Sequence, residues 1–539
     1  MLKKHLLVAV GLLLTPHLVA QDVAVSKVAG NGSDDYFMEA NTGSMVAYSM
    51  GSTSCNVGNV TINWTPSNHQ APVIQTTMFR IKDGRMEQLG YGWLKDSFCA
   101  VSENSCGNCQ STPCSNLGIG CADTYGSSLN DGANGVAKFQ VTAATGTWPS
   151  GTWISPSGSL PLRGRIQFPT ADAANPGATY IGEVLYLSEH DQLAGNVRNN
   201  ASWHEFQFVN GSLSNLDNVG SIHMYDPAIF AWKNEHADVN ITEVVIVDEG
   251  GPGVHGYMFV GSKATDLGGG QWRYDYAIQN MNSDRAASSL ILPTIVGSVS
   301  NMYYKDVDHH SGSIWANDDW NMSSAGNIPS WTCPETYAQN QNASALRWGF
   351  MTTFSFESDA PPASSMAPAE IGLFTPDPAG ASTSAAADVI VPDNNACVGG
   401  SITPYCSANA NSVFATGANF TVTGTPNVAV NDLAFTVTAL PPFQIGYWLM
   451  SPNEDFIPLF SGSEGNLCLG GGGVRWNETQ HIQWSGQFGF VQMQPDLTAG
   501  PYGTVFNDGD VWNFQFWYRD QNPSNTSNTT QAIKVTFCQ

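Results

Sequence analysis

Charge is scarce in this chain, and positive charge is scarcer still. Only 12% of the 539 residues are charged, with 20 Lys plus Arg against 45 Asp plus Glu, for a formal net charge of −25. Globular proteins carry about twice that charged fraction. So few cations leave no basic stripe to displace condensed counterions, which excludes a nucleic-acid-binding protein. Long apolar runs are also lacking. Leu6–Leu14 is shorter than the roughly 20 residues a helix needs to cross a bilayer, and no later stretch is long enough, so no integral membrane span is expected. Catalytic signatures are missing: there is no G-x-S-x-G, no P-loop and no dinucleotide fingerprint. His204-Glu205 lacks the second His of a zincin helix and sits among strand formers. Helical periodicity is nearly absent, and only Asp35–Ser49 and Ala338–Gly349 are expected to hold one short helix each.

What is present begins with a secretory pattern. Lys3 and Lys4 precede the apolar Leu6–Leu14, and Thr15–Ala20 ends in a small residue, so residues 1–20 read as a signal peptide cleaved after Ala20. Losing Lys3 and Lys4 takes the net charge from −25 to −27. The expected mature protein is soluble, acidic, and secreted or held at the cell surface. Eleven cysteines suit an oxidising compartment. Cys55, Cys99, Cys106, Cys109, Cys114 and Cys121 form an even set expected to pair internally, in an order the sequence does not choose. No His stands at ligand spacing beside them, so disulfides are favoured over zinc or an iron–sulfur cluster. Further on, Cys397 is expected to pair with Cys406 and Cys468 with Cys538, leaving Cys333 over.

The dominant periodicity is two. In Gln271–Gln279, Trp272, Tyr274, Tyr276 and Ile278 share one strand face, and Asn280-Met-Asn-Ser reads as a turn. Tyr180–Leu187, Thr242–Val247, His255–Val260, Leu433–Thr438, Ile445–Met450, Gly486–Met493 and Trp512–Arg519 follow the same rule. Many short strands between Gly, Asn and Pro turns predict an all-β fold: multiple antiparallel β-sandwich domains with long loops and few short helices. A Cys-rich β subdomain over 21–165, a central sandwich over 166–374, a Pro/Ala/Ser linker over 375–394 and a C-terminal sandwich over 395–539 are the expected divisions.

Several segments carry a resemblance. They are His69-Gln-Ala-Pro-Val-Ile-Gln through Phe79-Arg-Ile-Lys-Asp-Gly-Arg-Met-Glu-Gln-Leu-Gly, Trp93-Leu-Lys, Cys106-Gly-Asn-Cys, Leu117-Gly-Ile-Gly-Cys-Ala-Asp-Thr-Tyr, Asn199-Asn-Ala-Ser, Trp272-Arg-Tyr-Asp-Tyr-Ala-Ile-Gln-Asn-Met-Asn-Ser-Asp-Arg and Tyr337-Ala-Gln-Asn-Gln-Asn-Ala-Ser-Ala-Leu-Arg-Trp-Gly. Together they resemble a family of uncharacterised secreted bacterial proteins. Gly465-Asn-Leu-Cys-Leu-Gly-Gly and Phe514-Gln-Phe-Trp-Tyr-Arg-Asp resemble a planctomycete-type C-terminal β-sandwich module. The resemblance implies compartment and architecture but no mechanism. Where such relatives tend to have His after Trp-Leu-Lys, this chain has Asp96, which would remove any chemistry that His performed.

Seven of the 11 histidines lie between His190 and His310. The densest acidic–histidine run is Asp306-Val-Asp308-His309-His310, followed by Asp318 and Asp319. On a strand, Asp306, Asp308 and His310 would face one way and could ligate a divalent metal ion; apart from that, no cofactor is expected. A solvated acidic loop is the plainer reading. The EF-hand calcium loop pattern is missing. A pair of carboxylates placed for glycoside hydrolysis is compatible with so acidic a chain. In the C-terminal part, Trp448, Trp476, Trp484, Trp512 and Trp517 are expected mostly to fill a core. Alternation puts Trp512, Phe514 and Phe516 on one face and Trp517 on the more polar one, so Trp517 is the candidate to stack on a ligand. Arg285 and Arg347 are expected to pair with carboxylates. Twelve N-x-S/T sequons, Asn200, Asn240 and Asn477 among them, mark polar turns. The function read from these residues is non-catalytic: a secreted or cell-surface binding or structural component of an envelope, matrix or adhesion layer. Its expected partners are polysaccharide or other cell-surface proteins. The alternatives are a secreted glycan-directed or metal-assisted hydrolase and a carbohydrate-binding module protein.

Overall fold

The computed structural model describes residues 20–538 except 30–34, 66–70, 150–152, 294, 296, 378–379, 381, 394–399, 429, 472, 477–480 and 522–523. The signal segment before Ala20 lies outside the described residues, as do His69, Cys397 and Asn477. The fold is all-β and the ladders are antiparallel. Among the described residues the α-helices are two short ones, Glu189–Leu193 and Ile229–Glu235. Two compact units form. Of the described residues, those within 20–293, 299–358 and 364–391 make the first, and those within 295–298, 359–363 and 392–538 the second.

In the first unit one sheet runs Leu216–His223, Ala201–Phe208, Thr179–Leu187, Val73–Lys82 and Arg85–Tyr91, with Lys95–Asp96 also against Val73–Lys82. A second runs Asn240–Gly251, Val254–Gly268, Gln271–Asn280, Phe350–Ser358 and Ser300–Lys305. The central strand Gln271–Asn280 is buried on both faces, so Tyr274 and Tyr276 pack on one side while Asp275 and Gln279 are equally enclosed on the other. Asp275 is tolerated there because Arg85 (2.9 Å) and Arg273 (2.7 Å) both bind it. Gly261 lets the helix Ile229–Glu235 seat Trp232 directly on its strand, since a Cβ there would lie 2.8 Å from the indole.

Strand pairing crosses the expected division at 165/166. Met45–Met50 pairs with Ile166–Pro169, and Val73–Lys82 pairs with Thr179–Leu187, inside one compact unit. The expected linker contains the strand Ser384–Val389, which pairs with Ala367–Leu373 and belongs to the same unit. Asp35–Ser49 is not a helix. It forms the strands Tyr36–Asn41 and Met45–Met50 around a turn in which Gly43 takes φ +90°. Ala338–Gly349 is a chain of turns.

The six N-terminal cysteines pair internally, as Cys55–Cys106, Cys99–Cys114 and Cys109–Cys121. Cys406 bonds Cys468, which overturns both the Cys397–Cys406 and the Cys468–Cys538 expectations. Cys538 is disulfide-bonded as well, and Cys333 is free. The reason is topological: Tyr405 ends the strand Ser401–Tyr405 beside the strand Leu467–Leu469, with its hydroxyl donating to the Cys468 carbonyl at 2.8 Å. Four described disulfides fit an oxidising, extracellular environment. No described helix is long and apolar enough to cross a membrane.

The second unit is built on a sheet ordered Ser401–Tyr405, Ala532–Thr536, Val511–Asp520, Ile445–Ser451 and Val474–Trp476, with Asn419–Thr423, Ala434–Thr438 and Val491–Met493 forming a second sheet. Phe420, Phe435, Trp448, Trp476, Phe514 and Phe516 fill the space between them.

Candidate functional site

The alternation that buries Trp448, Met450, Phe514 and Phe516 turns Tyr447, Leu449, Gln515 and Trp517 to the opposite, outer face. Tyr447 and Trp517 are directly paired across the two strands, with ring centroids 4.8 Å apart and planes inclined at 32°. Thr529 is the next residue in the row. Arg519, two residues along the same face, places its guanidinium 5.3 Å from the Trp517 ring centroid. Neighbours therefore fix the indole, and its orientation costs little further entropy when a ligand arrives.

Over this floor stands a wall made by the segment Glu454–Gly470. Gln515 holds it down, accepting from the Cys468 N–H at 3.0 Å and donating to the Asn466 carbonyl at 2.9 Å. Thr529 Oγ1 also donates to Asn466, at 2.8 Å, and Ser463 Oγ donates to the Ser527 carbonyl at 2.8 Å. The Cys406–Cys468 disulfide ties the wall to the sheet edge. Gly465 permits the close approach, since a Cβ there would come within 2.4 Å of the Thr529 nitrogen. Between floor and wall lies a cavity of about 400 Å³. Tyr447, Trp517, Phe460 and Leu469 give it apolar surface, and Arg475 and Ser461 give it polar groups. Polar groups set among aromatic and aliphatic surface in about equal measure give the cleft the means to orient a small ligand.

The other expected ligand set does not assemble. The strand Ser300–Lys305 ends before Asp306, so the alternation that would align Asp306, Asp308 and His310 is absent. Asp306 accepts the Tyr304 hydroxyl at 2.8 Å, and burial pushes its carboxyl up to about 6. Asp308 is exposed. His310 turns inward. Its Nε2 donates to the Tyr91 carbonyl at 3.2 Å, while Nδ1 accepts from Gln167 Nε2 and Ser311 Oγ, both at 2.8 Å. That leaves no lone pair for a metal. Among the described residues no three His, Cys, Asp or Glu side chains are grouped as a metal would need.

His309 packs against Trp315 and Phe350 at 5.1 and 5.0 Å, and its Nδ1 has no hydrogen-bond partner. Burial, with Lys138 and Arg347 nearby, depresses it to about 3; burial takes His310 to about 4. Lys138 is itself enclosed, 2.6 Å from Gln75 Oε1 and over the rings of Phe350 (3.9 Å) and Trp348 (4.3 Å), and burial drives its ammonium well below the usual lysine range. Asp284, pushed up to about 6 by burial, accepts the Ala143 and Ala144 N–H groups at 2.9 Å each and so anchors a turn. Arg285 pairs with Asp377 at 3.4 Å, as expected of it. Arg347 instead donates to the Gln341 and Ala343 carbonyls.

No protein-family model and no curated protein sequence matches this chain. Among solved structures, the full-length major pilin SpaD from Corynebacterium diphtheriae is aligned at 7% identity over 85% of this chain and 86% of that one. Its TM-score of 0.16 is too low to bear on fold or function.

Trp517, nominated from the sequence, stands on the outer face beside Tyr447, which the same alternation places there but which was not nominated. Arg475 was missed because nothing local marks it. Trp484 leaves the core altogether, and Trp448 and Trp476 fill it.

Proposed function

We propose that the protein is an exported, non-catalytic β-sandwich component of a cell surface or extracellular matrix whose C-terminal unit binds a saccharide in the Tyr447–Trp517 groove. The observation that carries this reading is the paired aromatic floor beneath a wall held in place by Gln515 and a disulfide. Pyranose rings present apolar C–H faces that pack on indole and phenol rings, and their hydroxyls take the neighbouring Arg475 and Ser461 groups. The acidic surface, with a net charge of −25, favours a neutral or cationic glycan over an acidic one. Partners and location follow from the same reading, and a cofactor plays no part in it.

The test is titration of neutral oligosaccharides, and co-sedimentation with insoluble polysaccharides, using the purified protein and its Trp517→Ala and Tyr447→Ala variants. Removing a central aromatic anchor should cost about 2 kcal/mol, roughly thirtyfold in Kd. Binding that survives both substitutions unchanged would move the site elsewhere, and release of reducing ends from any glycan would replace the reading with a hydrolase.

A further inference from the structure

One end of the C-terminal unit carries a group of aromatic side chains outside the groove. Phe443, Trp484 and Phe488 are 67%, 67% and 85% exposed, and Phe490 is 45% exposed. Large aromatics this open are unusual on a soluble surface and mark an interaction site when they are grouped. Here they are grouped by backbone geometry. The loop 440–444 and the loop 485–490 are joined by Leu440 N–H to Gly489 O (3.0 Å), Phe443 N–H to Gly486 O (2.9 Å), and Gln444 N–H to Ser485 Oγ (2.9 Å). Ser485 Oγ in turn donates to the Pro441 carbonyl at 2.6 Å. Trp484 is paired with Ile445 at the root of the same loops.

The display is built rather than slack. Phe443 sits at φ +56°, a left-handed conformation that a bulky residue adopts only under constraint. Gly489, at φ +63°, lies where a Cβ would come within 2.1 Å of the Leu440 carbonyl oxygen. Phe490 N–H closes the second loop on Ser485 O at 3.0 Å.

Charge decides what the tip faces. No Asp, Glu, Lys or Arg occurs between Asp432 and Glu454, or between Glu478 and Asp496, in a chain whose net charge is −25. Both loops therefore fall within gaps in an acidic sequence. A basic protein partner would be recognised through carboxylates that these loops lack, and the side chains that stand furthest out, Phe443 and Phe488, present apolar edges with no groove wall beside them. An uncharged tip of Phe and Trp, with Gln487 as its exposed polar side chain, matches the interfacial zone of a lipid bilayer, where aromatic and uncharged polar groups meet.

We propose that the loops 440–444 and 485–490 form a lipid-docking tip that inserts Phe443, Trp484 and Phe488 into the interfacial layer of a membrane. The proposal is independent of the saccharide groove. Because the rest of the chain is acidic, docking should be stronger on zwitterionic than on anionic lipid, and added salt should narrow the difference by screening repulsion.

The experiment is co-sedimentation of the purified protein with phosphatidylcholine vesicles and with vesicles of equal parts phosphatidylcholine and phosphatidylglycerol, at low and high salt. Phe488→Ser and Phe443→Ser are each expected to lower the partition coefficient about tenfold or more. Conservative Phe488→Leu should retain most of it, and unchanged thermal melts will show that the variants are folded. Failure of the wild type to sediment with either vesicle overturns the proposal, as does sedimentation that Phe488→Ser leaves intact. A concentration-dependent dimer that Phe488→Ser dissolves, without vesicle binding, would assign the tip to a second copy of the chain instead. Loss of saccharide binding in Trp517→Ala with vesicle binding retained keeps the two sites distinct.

Discussion

Protonating His309 should break the first unit from inside. The ring sits among Trp315 and Phe350 with no partner for Nδ1, and its folded-state value is about 3 against an ordinary 6.5. The folded state therefore holds it neutral while the unfolded chain takes up a proton below about 6.5. A depressed base contributes stability that is complete above the unfolded value and is lost as pH falls towards the folded one. At pH 4 the gap already spanned is about 2.5 pH units, roughly 3 kcal/mol at about 1.4 kcal/mol per unit. Buried carboxyls oppose this. Glu183 and Glu249 are raised to about 7 and Asp191 to about 8, all chiefly by burial. Their folded forms keep protons, so their contribution is complete below about pH 4 and is lost as pH rises through 7 to 8. The wild-type profile alone mixes the two trends, and only a comparison separates them. Urea unfolding of wild type and His309→Gln, from pH 4 to pH 7, should show the variant weaker at pH 7 through lost ring packing. It should then gain on the wild type by roughly 3 kcal/mol at pH 4. A stability difference that stays constant with pH would refute the argument, because His309 would then titrate alike in both states.

Two further outcomes are expected. Asp275→Ala strands Arg85 and Arg273 beside each other in a buried site and should cost about 3–5 kcal/mol by chemical denaturation, more than Asp275→Asn. The pair Cys406→Ser with Cys468→Ser opens a loop of sequence separation 62, should lower stability by about 4 kcal/mol, and should weaken saccharide binding by freeing the groove wall; a melt unchanged from wild type would count against that role.

Strand periodicity carried the fold class because it is local. Trp272, Tyr274 and Tyr276, or Trp512, Phe514 and Phe516, declare a face within five residues. The failures concern what is not local. Tyr36–Met50 has apolar residues that fit a helix or two strands, and only pairing with Ile166–Pro169 selects the strands. The same holds for the site. Trp517 could be nominated from alternation, whereas its juxtaposition with Tyr447 needs the register between two strands some 70 residues apart, a number set by tertiary structure. In the acidic–histidine run, the strand that would align Asp306, Asp308 and His310 ends at Lys305 and the chain turns inward to seat His310 on Tyr91, a long-range contact that neither the strand nor the solvated-loop reading contains.

The interleaving of the first unit has a kinetic consequence. Residues 73–91 find partners at 179–187, at Asp275 and at Met351, where the backbone N–H donates to Gln88 Oε1 at 2.7 Å. A growing chain cannot complete the packing of these strands against the second sheet until its residues near 350 have emerged, and contacts of such sequence separation form slowly because loop-closure entropy must be met first. The packing around residues 73–91 therefore stays incomplete until Met351 has been made. If the protein is exported as we propose, an incompletely packed chain is the state a narrow channel accepts, and oxidation of the six N-terminal cysteines on the far side would then make folding hard to reverse.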